Sequence, residues 1–97
     1  MPFLNEYNFD LLKNEAEVLV IREMEQQLNG RTDMCLCNEC IVDIAAIALN
    51  AVKPLYRFSL LGTLYASQAM TEQSYADSVK NAVAEAIKKV KNNPAHD

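Results

Sequence analysis

Residues 35–50 read CLCNECIVDIAAIALN: three closely spaced cysteines, followed by a run that is almost wholly apolar. Asn38 can cap a helix over that run, and Pro54 stops it, so we predict a helix from Asn38 to about Asn50. A helix that is apolar on nearly every side is normally buried in the centre of a domain or between subunits. This stretch therefore predicts a central helix that starts at a cysteine cluster.

A long helix is predicted before the cluster. It begins near Asn5 or Asn8, either of which can act as its cap, and runs to about Asn29. Asn29-Gly30 supplies the left-handed residue that commonly ends a helix. Its apolar residues fall at helical spacing, with Val18 and Ile21 widening the stripe formed by Leu12, Ala16, Leu19, Val20, Met24 and Leu28.

The last predicted helix carries the clearest pattern. Thr71 can cap it, and Asn92-Asn93-Pro94 ends it. One apolar stripe runs along its length, made of Tyr75, Val79, Ala82, Val83, Ala86, Ile87 and Val90. Between the second and last helices, alternation from Tyr56 to Leu61 predicts a short extended segment, and residues 63–70 are either helical or irregular.

The three predicted helices and the short extended or irregular segment indicate an all-α fold. Length and composition point to one small globular domain, residues 1–97. The 97 residues are 51% hydrophobic, which is typical of a folded chain with a thin core. A net charge of −4 argues against general nucleic-acid binding. We find no secretory signal and no membrane-spanning run, so we expect a cytoplasmic protein without a membrane partner.

Three cysteines within six positions, in a chain without a secretory signal, favour a metal site over disulfides. Zinc takes four ligands in a tetrahedron and binds thiolates well, so Cys35, Cys37 and Cys40 are predicted as zinc ligands. A plain thiol cluster and redox chemistry are the alternatives. The fourth ligand is His96, the only histidine in the chain, or else Asp43, Asp33, a water or a group from a partner chain.

A catalytic zinc site would also need a general base, for which Glu39 or Asp43 is available. The cluster is not accompanied by a His-Glu-x-x-His motif, a second Cys-x-x-Cys pair or a glycine-rich phosphate loop. We therefore predict a structural metal site in a protein that is not an enzyme.

Residues 34–50, MCLCNECIVDIAAIALN, and residues 52–56, VKPLY, resemble the late competence development protein ComFB family. The resemblance rests on the order Cys-x-Cys-x-x-Cys, Asp, Ala-Leu-Asn and Pro-x-Tyr, and covers roughly residues 10 to 65. It implies a small helical homodimer with a zinc site and a regulatory or accessory role. Members with the cysteines can carry a fourth near the C-terminus, where this chain has His96.

The resemblance also implies a second possible function, because cyclic di-GMP binding is proposed for some members. Such a site needs cations for the phosphates and planar groups for the guanines, which Arg57, Lys53, Tyr56 and Arg31 can supply. In the alternative interpretation, Tyr56 and Phe58 are core residues, as such aromatic residues more often are, and Arg57 is a solvated charge.

A homodimer is expected from the residues as well. Three helices cannot easily surround so apolar a second helix, and self-association with two-fold symmetry is the common way to cover such surfaces. We expect the interface to come from the first and last helices and the Tyr56–Leu61 segment. The sequence does not identify a protein partner.

Overall fold

The computed structural model describes residues 2–57 and 73–94. Within these ranges the chain is mostly helical, as predicted, with two very short strands. The elements in order are α1 (Pro2–Glu6), a 3-10 turn (Phe9–Leu11), β1 (Lys13–Asn14), α2 (Ala16–Leu28), α3 (Asn38–Ala51), β2 (Tyr56–Arg57) and α4 (Gln73–Asn92). The strands pair antiparallel, with Lys13 opposite Arg57 and Asn14 opposite Tyr56.

The core lies where α4 packs against both α3 and α2. All seven residues of the predicted α4 stripe are buried in it, so that prediction is confirmed. From α2 the core takes Ala16, Val20 and Met24, and from α3 it takes Cys40, Ile44 and Ala48. The stripe of α4 therefore faces the core of the chain itself.

The second predicted helix is present as α3, with two differences. Its N-cap is Cys37, whose backbone is extended and whose carbonyl accepts a hydrogen bond from the Ile41 N–H at 3.0 Å. Asn38 is consequently the first helical residue and not the cap. One face of α3 is buried, whereas Val42 on the opposite side is 57% exposed.

The first predicted helix begins later than expected, because its first half is replaced by α1, the 3-10 turn and β1. Asn8 does cap, but it caps the short 3-10 turn by accepting a hydrogen bond from the Asp10 N–H at 3.1 Å. The Asn14 side-chain oxygen accepts from Ala16 N–H at 3.2 Å and from Leu55 N–H at 2.7 Å. These bonds tie the start of α2 to the segment after α3, which a helix continuing through Asn14 would prevent.

This later start leaves part of the predicted first stripe in solvent. Leu12 precedes α2 and is exposed, and Val18 and Ile21 lie on the exposed side of α2. The N-terminal segment before β1 also exposes large apolar side chains, namely Phe3, Leu4, Tyr7, Phe9 and Leu11. The described residues thus leave several large apolar side chains in solvent.

The end of α2 is as predicted. Gly30 takes a positive φ of 76°, which glycine adopts without a steric penalty, and the Arg31 N–H bonds back to the Leu28 carbonyl at 3.1 Å. At the other boundary, Thr71 and the predicted irregular segment at 63–70 lie outside the described residues. Of the Tyr56–Leu61 segment, only Tyr56 and Arg57 are described, and they form β2.

Among the helices of residues 2–57 and 73–94, none combines the length and the apolar character needed to cross a bilayer.

Candidate metal centre

Three thiols converge at the start of α3. The sulfur atoms of Cys35, Cys37 and Cys40 all lie within 4.8 Å of one another. Cys35 and Cys37 are exposed, whereas Cys40 is buried. The three cysteines predicted as metal ligands are therefore brought together, with one sulfur anchored in the core and two reachable from solvent.

The local sequence explains this geometry. Gly30, with its positive φ, follows the end of α2, and Cys37 acts as the N-cap of α3. Cys40 consequently falls in the first helical turn, one turn after Cys37, so that both point to the same side. Cys40 lies with Ile44 on the buried face of α3, and the packing of that face in the core holds Cys40 in position.

Hydrogen bonding within the cluster favours a negatively charged sulfur. The pKa of the Cys35 thiol is lowered, chiefly by a hydrogen bond from the Cys37 backbone N–H and then by one from the Cys37 thiol, while the Glu39 carboxylate opposes the shift. A thiolate, rather than a thiol, is the form that ligates metal ions. The three sulfurs are thus a soft donor set that suits a thiophilic ion such as zinc.

Asp33, one of the candidates for a fourth ligand, takes part in other interactions. Its carboxylate receives two hydrogen bonds from the Arg31 guanidinium, at 3.0 and 2.8 Å, and lies 2.9 Å from the Lys91 Nζ. These cations, Arg31 first and Lys91 second, hold the pKa of Asp33 well below its usual range. Within residues 2–57 and 73–94, neither Asp33 nor Asp43 joins the group of close ligand atoms.

The ion pair with Lys91 was not foreseen in the sequence, because it joins residues far apart in the chain. It brings the last turn of α4 to the loop that leads into the cysteines. His96 lies outside the described residues, five positions after Lys91 in the sequence.

The residues predicted to hold a cyclic dinucleotide fall into two places. Lys53, Tyr56 and Arg57 follow α3, and the Lys53 carbonyl accepts a hydrogen bond from Tyr75 Oη at 2.7 Å, near the start of α4. Arg31 instead lies near Lys91, about 24 Å further along α4 at ~1.5 Å per residue. Arg31 therefore lies in a different place from Lys53 and Tyr56.

A cavity of about 450 Å³ lies beside Lys53, between the segment after α3 and the start of α4. Its lining combines apolar and hydroxyl side chains and includes Lys53, Pro54, Leu55, Ser74, Tyr75 and Ser78. Tyr56 is 55% exposed. The alternative prediction, that Tyr56 is a core residue, is therefore wrong.

Comparison with known proteins identifies the family. A family model described as late competence development protein ComFB matches residues 13–94, which include the cysteine cluster and all three long helices. The chain belongs to the ComFB family. The resemblance noted in the sequence is thereby confirmed.

A solved structure supports the ComFB fold. The late competence protein ComFB from Bacillus subtilis superposes with a TM-score of 0.60, at 24% sequence identity, over 86% of this chain and 93% of that one. At that identity the likeness concerns the fold alone. A comparison with curated protein sequences gave no match.

Proposed function

We propose that this ComFB-family chain is a cytoplasmic, zinc-binding regulatory or adaptor protein of the late-competence type, without enzymatic activity. The observation that carries the proposal is the convergence of the Cys35, Cys37 and Cys40 sulfur atoms within 4.8 Å. Three thiolates so close together repel one another, and a divalent cation relieves that repulsion. The role of the metal is structural: it fastens the loop after α2 to the start of α3.

His96 is proposed as the fourth ligand. The Asp33–Lys91 ion pair supports this assignment because it holds the end of α4 at the loop that leads to Cys35. Asn92 ends α4, and the four residues from there to His96 span up to about 14 Å when extended. Asp33 is the weaker candidate, since binding a metal would cost it two charge-assisted partners.

Metal analysis of the purified, reduced protein tests the zinc proposal. We expect about one zinc per chain, and thiols that are protected from alkylation until a chelator removes the metal. The matched variant is Cys40→Ala, which should lose zinc. Protein that contains no zinc after supplementation, and whose Cys35 and Cys37 alkylate at the rate of a free thiol, would contradict the proposal.

We further propose that the protein acts as a homodimer. Val18 and Ile21 on α2 and Tyr56 in β2 are large side chains exposed by 43%, 56% and 55%. They belong to two of the three regions predicted to form the interface. Sedimentation should give a dimer at micromolar concentration, and Ile21→Asp should give a folded monomer near 11 kDa, the chain mass being 10.9 kDa.

Binding of cyclic di-GMP is the alternative function, as a receptor in motility or competence signalling. The cavity beside Lys53 favours it, since a cation and a tyrosine border a space of about 450 Å³. Calorimetric titration with cyclic di-GMP, on wild type and Lys53→Ala, separates the two functions. Binding that Lys53→Ala abolishes supports the receptor, whereas no heat at high micromolar ligand leaves the adaptor function.

A further inference from the structure

Cys37 and Cys40 form a Cys-x-x-Cys pair within the three-cysteine cluster. That spacing occurs in metal sites and in redox sites alike, and the environments of the two sulfurs distinguish the uses. Here the two environments differ sharply. Cys37 is exposed at the N-cap of α3, and Cys40 is fully buried, with 0% of its surface exposed.

This contrast suits a two-step oxidation. An exposed sulfur at the start of a 14-residue helix is reachable by a small oxidant. A buried sulfur is shielded from the oxidant but is positioned to react with its neighbour. The two sulfur atoms lie within 4.8 Å, so only a small movement is needed to reach the S–S distance of about 2.05 Å.

The backbone permits that movement. Residues three apart on a helix have Cβ atoms about 5–6 Å apart, and a disulfide needs about 3.5–4.5 Å. Cys37 lies at the boundary of α3, where its backbone is extended, although its carbonyl accepts the first helical hydrogen bond from Ile41 N–H. It can therefore turn towards Cys40 without breaking the helix.

We propose that Cys37 and Cys40 are a peroxide-sensitive dithiol, whose oxidation to a disulfide removes two metal ligands and releases the metal. The inference rests on the proposed zinc function for its consequence, but not for its chemistry. The oxidant is a hydroperoxide, either hydrogen peroxide or an organic one.

The reaction proceeds in two balanced steps. The Cys37 thiolate attacks the outer oxygen of the hydroperoxide, so an S–O bond forms, the O–O bond breaks, and the alkoxide or hydroxide leaves with a proton. The Cys40 thiolate then attacks the sulfenic sulfur of Cys37, forming the S–S bond and expelling hydroxide, which leaves as water. The two sulfurs together lose two electrons, and the peroxide gains them.

After oxidation, Cys35 is the single thiolate that remains in the cluster. One thiolate with the fourth ligand holds zinc far more weakly than the complete set, so the metal dissociates. A dithiol reductant restores both sulfurs, and the metal binds again. Oxidation thereby loosens the loop before α3.

The chemistry is tested first on metal-free, reduced protein of full length. It is treated with one equivalent of hydrogen peroxide, quenched by alkylation and mapped by mass spectrometry. We expect a Cys37–Cys40 disulfide that dithiothreitol reverses. Cys35→Ser should still form it, whereas Cys37→Ser and Cys40→Ala should not, with circular dichroism establishing that each variant is folded.

A Cys35–Cys37 disulfide as the main product, or sulfinic acid at Cys37 without a disulfide, would overturn the proposal. If Cys40→Ala does not fold, Cys37→Ser alone tests the assignment. The Cys37 side chain is exposed, so its replacement should leave the protein folded.

The consequence is tested on zinc-loaded protein, with a metallochromic chelator reporting release. Peroxide should release zinc in step with disulfide formation, and dithiothreitol with added zinc should reverse both. If the disulfide forms but the protein never binds zinc, the result would support the peroxide-sensitive dithiol and contradict the proposed zinc-binding function. Zinc that stays bound after the disulfide has formed would overturn the release mechanism.

Discussion

The carboxylate of Asp33, two residues before the cysteine cluster, lies 2.9 Å from the ammonium group of Lys91 in the last turn of α4. Arg31 reinforces this contact by holding the same carboxylate through two hydrogen bonds. Because both partners of the ion pair are partly exposed, its effect on global stability is small. Its effect on the position of the loop is direct, since it fixes the segment from which Cys35 is presented.

Replacing Lys91 by methionine should speed the removal of zinc by a chelator several-fold. The substitution keeps the length of the side chain and deletes the charge, so the loop loses its attachment to α4 while the midpoint of thermal unfolding hardly changes. Lys88→Met, at an exposed lysine on the same helix outside this ion pair, is the control and should exchange zinc at the wild-type rate. Equal rates in the two variants would show that the ion pair does not position the loop.

Replacing His96 by alanine should weaken zinc retention against chelators, because imidazole is the proposed fourth ligand. A chain truncated after Pro94 should behave like the substitution. The measurement is a competition titration with a chelator of known zinc affinity. If both proteins retain zinc as wild type does, the fourth position belongs to Asp43, Asp33, a water or a partner group instead.

Replacing Asn14 by alanine should lower the free energy of unfolding by about 1–3 kcal/mol. The change removes the acceptor for two backbone N–H groups, those of Ala16 and Leu55, and leaves both donors without it. Asn50→Ala is a matched control, since the exposed Asn50 amide donates to the Ala46 carbonyl in its own helix, and the cost should stay below about 0.5 kcal/mol. Urea unfolding gives both values, and equal losses would refute the role of Asn14.

Replacing Val83 by aspartate should unfold the protein. Val83 is 0% exposed at the contact of α4 with the core, where an unpaired carboxylate costs more than about 4 kcal/mol. Val18→Asp introduces the same group at a valine that is 43% exposed on α2, and should leave the helical circular dichroism spectrum intact. If the proposed dimer is correct, this second variant is a folded monomer. A folded Val83→Asp protein would contradict the observed core.

The stability of the protein should decline at alkaline pH through Tyr75. Burial raises the pKa of its hydroxyl above the ordinary value of 10.0, and the neutral hydroxyl donates to the Lys53 carbonyl. A raised pKa in the folded state contributes stability that is complete below the unfolded value and is lost as the pH rises through the folded one.

Tyr75→Phe should therefore be less stable than wild type at neutral pH, by about 1 kcal/mol, and should lose less as the pH is raised. Unfolding by urea between neutral pH and about pH 11 measures both effects. Tyr56→Phe, at an exposed tyrosine, is the control and should keep the alkaline loss of the wild type. Parallel pH profiles for Tyr75→Phe and wild type would exclude Tyr75 as the cause.

Local patterns in the sequence predicted much of the fold. The α4 stripe from Tyr75 to Val90 was predicted residue by residue, because a long amphipathic helix has one way to bury a single apolar face. The end of α2 at Gly30 followed from the left-handed backbone that glycine tolerates. The clustering of the cysteines followed from their spacing at the start of a helix.

The errors share a physical cause. The start of α2 was placed too early because Asn5 and Asn8 are good caps by local rules. The contact that decides where α2 starts joins Asn14 to Leu55, and these two residues come together only when the chain folds. For the same reason Val18 and Ile21 were assigned to the buried stripe, although the packing of α2 against α4 leaves them in solvent.

The sequence by itself determined the helical class, the long apolar stripe of α4 and the set of three sulfurs, because each depends on spacing along one element. Tertiary structure alone decided that the α4 stripe packs in the core of the chain itself, that Arg31 lies far from Lys53, and that Asp33 contacts Lys91. These outcomes depend on which elements pack together, and packing energy is shared among residues distant in sequence. No local pattern along the chain encodes it.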